Sequence, residues 1–385
     1  MGEIYLGRGT YEQFDEYIDF LNYVFGYNGN TNDMKKLLPK LYRRELSPAS
    51  NSYLILDEGK IKATVGAYRN EVNVCGMILT GVGIGNVAVH PYERSKGYMK
   101  KLMNIALDDM LEEEIDFTVL GGQRQRYNYF SYENAGVCYS FRVSKKNIHH
   151  AFGERPVLFR VEEVREDDEA TLEAIAEISS SKLYVPIRDR NELYSILCSW
   201  NARPYIIMDV DRVVGYCVVS QQEVTEILTV RDEEFFDALC SVIDSISEKN
   251  STMNVLLPAF LPEYIKSLEK IAEKVSVGHC KMFSILRFQR VIEAYLKLKG
   301  KYTQFPEGEL AVLVHGKGGD ERLLIAVKEG EISVTETQME PVIELSHIEA
   351  MNYFFAPVCG QRTDAPYYVQ SWFPLPLWIY EADRV

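Results

Sequence analysis

The chain has 385 residues, 46% hydrophobic and 25% charged, the profile of a soluble globular protein with room for two or three cores. Its net charge of −14 is uneven: residues 1–150 hold 18 basic and 18 acidic side chains, residues 151–285 hold 14 and 24, and residues 286–385 hold 10 and 14. No segment is basic enough for a nucleic-acid surface, and the longest uncharged apolar run, Trp372 to Tyr380, is too short and too proline-bearing to span a bilayer. Glu3, Arg8 and several acids interrupt the first twenty residues, so no secretory leader is expected and a cytoplasmic location is. Seven dispersed cysteines, Cys75 to Cys359, form no C-x-x-C pair and read as small core residues of a reducing compartment. Six histidines without ligand spacing predict no metal site.

In chain order, residues 11–26 carry Phe14, Ile18, Leu21 and Phe25 at helical spacing. Residues 51–90 read as consecutive strands, with a hairpin turn at Asp57-Glu58-Gly59 and glycines at 81, 83 and 85 that let the last strand bend or bulge. A helix follows Gly97, with Met99, Leu102, Met103, Ala106 and Met110 on one face. Then come a strand "DFTVLGG", a short aromatic helix or turn "RQRYNYFSYENAG" and a strand "VCYSFRVS", which closes a first α/β unit at residue 150. Residues 151–286 repeat the element order as a second unit: a hairpin around Asp211-Arg212, a strand "EVTEILTV", a helix "DEEFFDALCSVIDSI", a strand "TMNVLLP" and a helix "PEYIKSLEKIAEKV". Residues 287–385 predict a small α+β domain that opens on the helix "FQRVIEAYLKLKG" and closes on an aromatic tail.

The chemistry concentrates at "NVAVHPYERSKGYMKKLM", residues 86–103. Pro91 ends a strand, and Arg94-Ser95-Lys96-Gly97 leads into a helix. A helix start presents unpaired N–H groups and the positive end of the dipole, Gly97 places no Cβ in an anion's way, and Arg94 and Lys96 add charge. The stretch reads as a pyrophosphate cradle. "GVGIG" at 81–85 precedes a strand instead of opening a helix, which argues against a dinucleotide loop, and the chain has no G-K-[ST] for a P-loop.

"VAVHPYERSKGYM" resembles the acetyl-CoA signature of the GNAT N-acetyltransferases, V-x-V-x-P-x-x-R/Q-x-x-G-x-G/A, with Met99 in place of the last small residue. The resemblance implies acetyl-CoA as co-substrate, pairing of the Val87 and Val89 backbone with the pantetheine arm, and wrapping of the pyrophosphate by Arg94, Ser95, Lys96, Gly97 and Tyr98. It also implies a tyrosine acid a few residues before a G-F/Y step. Tyr127 in "RYNYFSYENAG" fits, with Ser131 in the glycine's place and Tyr129 as the rival. A tyrosine pKa of about 10 suits protonation of a leaving thiolate.

The whole layout resembles the Eis-like acetyltransferases: two tandem GNAT-fold domains, at 1–150 and 151–286, and a sterol-carrier-protein-like domain at 287–385. In the second unit Asp232, Glu233 and Glu234 stand where a cradle needs positive charge, so no CoA is expected there. They read as helix caps, with a border for a cationic substrate as the other possibility. The resemblance further implies transfer to a primary amine (an aminoglycoside, a polyamine or a lysine side chain), a homo-hexamer, and a catalytic base in the carboxylate of the terminal residue, here Val385. Arg384 beside it would disfavour bulky polycations. The alternative function is binding of an apolar ligand by the C-terminal domain, with a vestigial acetyltransferase unit.

Overall fold

The computed structural model describes residues 4–27, 29, 33–248, 251–357 and 365–385 and forms three sheets; Cys359 lies outside the described residues. The first sheet has eight strands. Seven lie in the order Ile4–Arg8, Ser52–Asp57, Lys60–Val74, Met77–Val89, Phe117–Leu120, Lys281–Ile285, Glu133–Ala135, and Tyr184–Ile187 pairs with the far end of Lys60–Val74. Two-residue turns join its long central hairpins. Glu58 and Gly59 have φ of 53° and 72°, Cys75 and Gly76 have 51° and 89°, and paired positive φ angles match the right-handed strand twist.

The second sheet has seven strands, in the order Lys274–Gly278, Cys138–Val143, Met253–Pro258, Glu223–Thr229, Arg212–Ser220, Arg203–Asp209, Arg160–Glu163. The two sheets trade strands. Cys138–Val143, assigned from the sequence to the first unit, pairs with Met253–Pro258 and Lys274–Gly278 in the second sheet. In return Lys281–Ile285, a late segment of the second unit, enters the first sheet between Phe117–Leu120 and Glu133–Ala135. The helix expected over "PEYIKSLEKIAEKV" ends at Glu269, and Lys274–Gly278 is instead an exposed edge strand. A short apolar alternation specifies a strand without specifying its neighbour, so a local pattern could not reveal this exchange.

Residues 308–346 form a four-stranded third sheet, ordered Glu331–Glu336, Gly319–Lys328, Gly308–Gly316, Ile343–Ser346. Its apolar face, with Leu310, Val312, Leu323 and Ile325, belongs to one buried cluster with Val291, Ile292 and Tyr295 of the helix Phe288–Gly300. The same cluster takes in Phe117 and Phe283 of the first sheet, so the third unit docks on the first sheet through shared core. Arg290 reinforces the junction, donating to Asp116 at 2.7 Å and to the Ile78 carbonyl at 2.8 Å.

Candidate active site

Strand Met77–Val89 runs parallel to Phe117–Leu120, but their ladder covers only Gly81–Ile84; the strand then continues five residues to Val89 without that neighbour. The divergence coincides with a bulge. Asn86 and Val87 stand opposite the single residue Val65, and Asn86 has φ of 52°. A buried polar cluster holds the bulge: Asn86 accepts from the Tyr42 hydroxyl at 2.5 Å and donates to Tyr68 at 2.8 Å and Tyr17 at 3.1 Å. The expected bulge near the three glycines is therefore present, one residue beyond Gly85.

Helix Tyr98–Glu112 begins beside the open edge. Gly97 precedes it at φ 76°, a conformation that costs other residues about 1–2 kcal/mol, and no side chain caps the helix. A Cβ at Gly97 would stand in open space, so the glycine serves the backbone turn and leaves the approach to the first amides clear. Leu102, Met103, Ala106 and Met110 bury the opposite face in the first core, as their spacing predicts.

Strand edge and helix start bound a groove of 670 Å³. Val87, Val89, Arg94, Ser95, Gly97 and Tyr98 all line it, so the structure brings together six of the seven residues expected at the cofactor. Lys96 is not among the lining residues: its ammonium lies 2.5 Å from the Glu93 carboxylate. Sequence reasoning missed Lys100, Arg126 and Phe130, and also Val24 and Phe25 from the helix Phe14–Gly26. Lys100 was legible as a basic residue in the first turn of the helix; the others converge only through folding.

Tyr127 ends the single helical turn Arg124–Tyr127, and its ring lies over Gly122, where a Cβ would approach to 2.7 Å. It is buried and lines neither the groove nor the pocket described next. Burial raises its hydroxyl pKa, which the groove-lining Arg126 opposes, so at neutral pH the proton stays on oxygen. Tyr129 is exposed and stands under the Lys100 ammonium. Ser131 has φ of 68°, a left-handed conformation that explains why glycine suits this position.

The C-terminal tail ends inside the first unit. A Cβ on Gly83 would come within 2.6 Å of Val385 Cγ2, and one on Gly85 within 3.1 Å of the Val385 carbonyl carbon. These glycines give the terminal residue its place at the fork of the two strands. Polar contacts from both units hold the tail: Lys40 donates to the Ala382 carbonyl at 2.5 Å, Trp200 to the Arg384 carbonyl at 3.4 Å, and Tyr184 to the Trp378 carbonyl at 2.7 Å. Burial pushes Lys40 down to about 7 against the pull of Asp383. Val385 lines a pocket of 190 Å³ together with Leu120, Gly121, Trp200, Lys281, Glu381 and Arg384 among others.

The second unit repeats the fork, but protein fills it. Glu223–Thr229 pairs with Met253–Pro258 only at Glu223 and Val224, and the Tyr264 hydroxyl then accepts from the Thr229 N–H at 3.2 Å. Tyr264 also stacks on Phe235 at 3.8 Å, which closes the space. Of the three acids there, Glu234 is held at about 2 by Arg231 and Arg212, and Asp232 pairs with Lys182 at 3.1 Å. Neither acid lines the groove or the Val385 pocket. Among the described residues no group of three or more His, Cys, Asp or Glu side chains could hold a metal ion. No helix among them is long and apolar enough to cross a membrane.

Residues 8–136 match the family model described as acetyltransferase (GNAT) domain. No curated protein matches the chain in sequence. Among solved structures, the chain is similar to a GCN5-related N-acetyltransferase from Anabaena variabilis, at 15% identity, 98% coverage of both chains and a TM-score of 0.68. It is similar to another from Kribbella flavida, at 16% identity, 100% of this chain, 99% of that one and a TM-score of 0.67. Eis1 from Mycobacterium abscessus aligns over 100% of both chains at 12% identity and a TM-score of 0.61. At such identities the likeness is one of fold, and it extends from end to end. Residues 8–136 thus match a GNAT acetyltransferase domain in sequence, within a mixed α+β fold of two tandem GNAT-like domains and a small third domain.

Proposed function

We propose that the protein moves an acetyl group from acetyl-CoA to the nitrogen of a primary amine, both substrates being bound together. The observation that carries this reading is the meeting of an uncapped helix start, an unpaired strand edge and the chain's terminal residue at one fork. The residues present fit the co-substrate: the groove is open where a Gly97 side chain would stand, and Arg94, Lys100 and Arg126 bring positive charge to it.

When bound, acetyl-CoA supplies the thioester carbonyl, whose C–S bond breaks as the C–N bond forms. The edge at Val87 and Val89 holds the extended arm by backbone pairing, and the amides after Gly97 hold the diphosphate. The Val385 carboxylate orients the ammonium of the acceptor and takes its proton through water. Tyr127, kept protonated by burial and adjacent in the chain to the groove-lining Arg126, is the acid for the departing sulfur. The acceptor classes in view are aminoglycosides, polyamines and lysine side chains, free or on a protein. A homo-hexamer, implied by the Eis-like layout, is part of the same proposal and is checked by native mass spectrometry.

The test is a thermal shift with acetyl-CoA, followed by thiol release on an amine library. A raised melting temperature in the wild type and none in Gly97→Glu is the expected result. An equal shift in the two proteins, or no shift in either, removes the reading.

A further inference from the structure

The pocket at Val385 differs in character from the groove. At 190 Å³ it is below the about 300–1,000 Å³ of sites for drug-sized ligands, so it suits a small acceptor. Trp200 and Leu120 supply apolar wall, while its charged lining brings two cations, Lys281 and Arg384, to the terminal carboxylate and Glu381.

The cations are not spent within the protein. Arg384 donates to the Glu381 carboxylate and, at 3.8 Å, to the Cys280 sulfur, a weak acceptor; its buried Nε has no hydrogen-bond partner among the described residues. Lys281 stands 3.8 Å from the same Glu381, which Arg384 already occupies. Glu223, the next carboxyl acting on both, is half-buried and pushed upward by that burial, which weakens it as a counter-charge. Burial moves Lys281 down to about 8, so below that pH it remains mostly protonated. The lining therefore balances two cations against two carboxylates, Glu381 and the chain's terminal one, while the donors of both cations exceed the acceptors that Glu381 offers them.

We propose that this pocket takes a small amine bearing its own carboxylate, an amino-acid-like zwitterion, in preference to a polycation. The inference rests on the acetyl-transfer reading and names its acceptor class. The acceptor's ammonium faces Val385, and its carboxylate faces Lys281 and Arg384. In the transfer the deprotonated nitrogen forms the C–N bond, the C–S bond breaks with its electron pair on sulfur, and sulfur takes a proton. A polyamine in the same pocket would set a second ammonium against two cations, in surroundings where like charges repel more strongly than in water.

The experiment compares amino acids with the amines left by their decarboxylation: leucine with isopentylamine, histidine with histamine, ornithine with putrescine and lysine with cadaverine. Acetyl-CoA turnover is measured on each, with the acetyl-CoA thermal shift recorded alongside. The expected result is kcat/KM at least tenfold higher for the amino-acid member of the pairs that are turned over. Lys281→Gln shrinks that ratio and Lys281→Glu reverses it. Lys281→Gln, which keeps a polar side chain and adds no charge, guards against misfolding of the charge reversal. Equal or better turnover of the decarboxylated members overturns the inference, as does a thermal shift without turnover of any member. Absence of the shift itself removes the parent reading and this one with it.

Discussion

The Arg188 guanidinium grips Asp383 through two 2.8 Å hydrogen bonds, two residues before the end of the chain. Its other side is bidentate to Glu226 at 3.0 and 2.8 Å, and Tyr216 adds its hydroxyl to that carboxylate. Arg188 comes from the loop after Tyr184–Ile187, and Glu226 from the second sheet. The second unit, whose own fork is filled, thereby fixes the tail of the first unit's site.

Arg188→Ala leaves two buried carboxylates facing each other. Breaking a buried pair in this way costs about 3–5 kcal/mol, so the urea midpoint falls and transfer activity falls with it. Asp383→Asn keeps the size and hydrogen-bonding shape of the side chain, and it is expected to lose less stability than Arg188→Ala while still lowering kcat. A midpoint unchanged in Arg188→Ala would mean that the tail needs no such anchor.

Gly83→Ala places a Cβ within 2.6 Å of Val385 Cγ2. The expected outcome is a displaced terminus, with kcat at least tenfold lower and the acetyl-CoA thermal shift retained. Removal of Val385 alone should give the same split. Wild-type kcat in both variants would take the terminal carboxylate out of the chemistry.

Tyr127→Phe removes the proposed acid and keeps the ring over Gly122. A loss of about 10²–10⁴ in kcat is expected, the usual contribution of a general acid, with melting temperature little changed. The pH profile of the residual activity should lose its alkaline limb. Unchanged turnover would assign the proton to another donor.

His347 gives a pH prediction with a definite sign. It is buried between Ser284, whose hydroxyl is 3.0 Å from Nε2, and the Lys317 N–H, which donates to Nδ1 at 3.2 Å. Burial, reinforced by Lys317, pushes it down to about 4 from its ordinary 6.5. Folding therefore favours the neutral ring. Its contribution is complete above the unfolded pKa and is lost as pH falls from about 6.5 to about 4, on the order of 3 kcal/mol in all. His347→Gln should flatten this part of the stability curve in denaturant melts taken between pH 7 and pH 4.

Much of the site was legible before folding because its parts are adjacent in the chain. The run from Val87 to Tyr98 contains the strand edge, the turn at Gly97 and the helix start, and six of the seven residues chosen there line one groove. Lys96 stood at the right spacing, but the choice between ligand and neighbour went to Glu93, which lies three residues away and closes an ion pair at 2.5 Å. The Tyr127 position, too, followed from the aromatic run, whereas its distance from the lining of both cavities depended on how the ring packs on Gly122.

Sequence alone determined several of the helices, though not Lys145–Phe152 or Glu169–Ser180, most of the strands, the helix start open to an anion and the unsuitability of the second unit's acids for one, since each depends on periodicity, φ preference or charge within a few residues. Tertiary structure decided which sheet received Cys138–Val143 and Lys281–Ile285, how Tyr264 fills the second fork, and that Val385 meets Gly83 and Gly85 from some three hundred positions away. Strand pairing and burial are contacts between distant segments, and their energy depends on the partner as much as on the residue itself, so no local pattern encodes them.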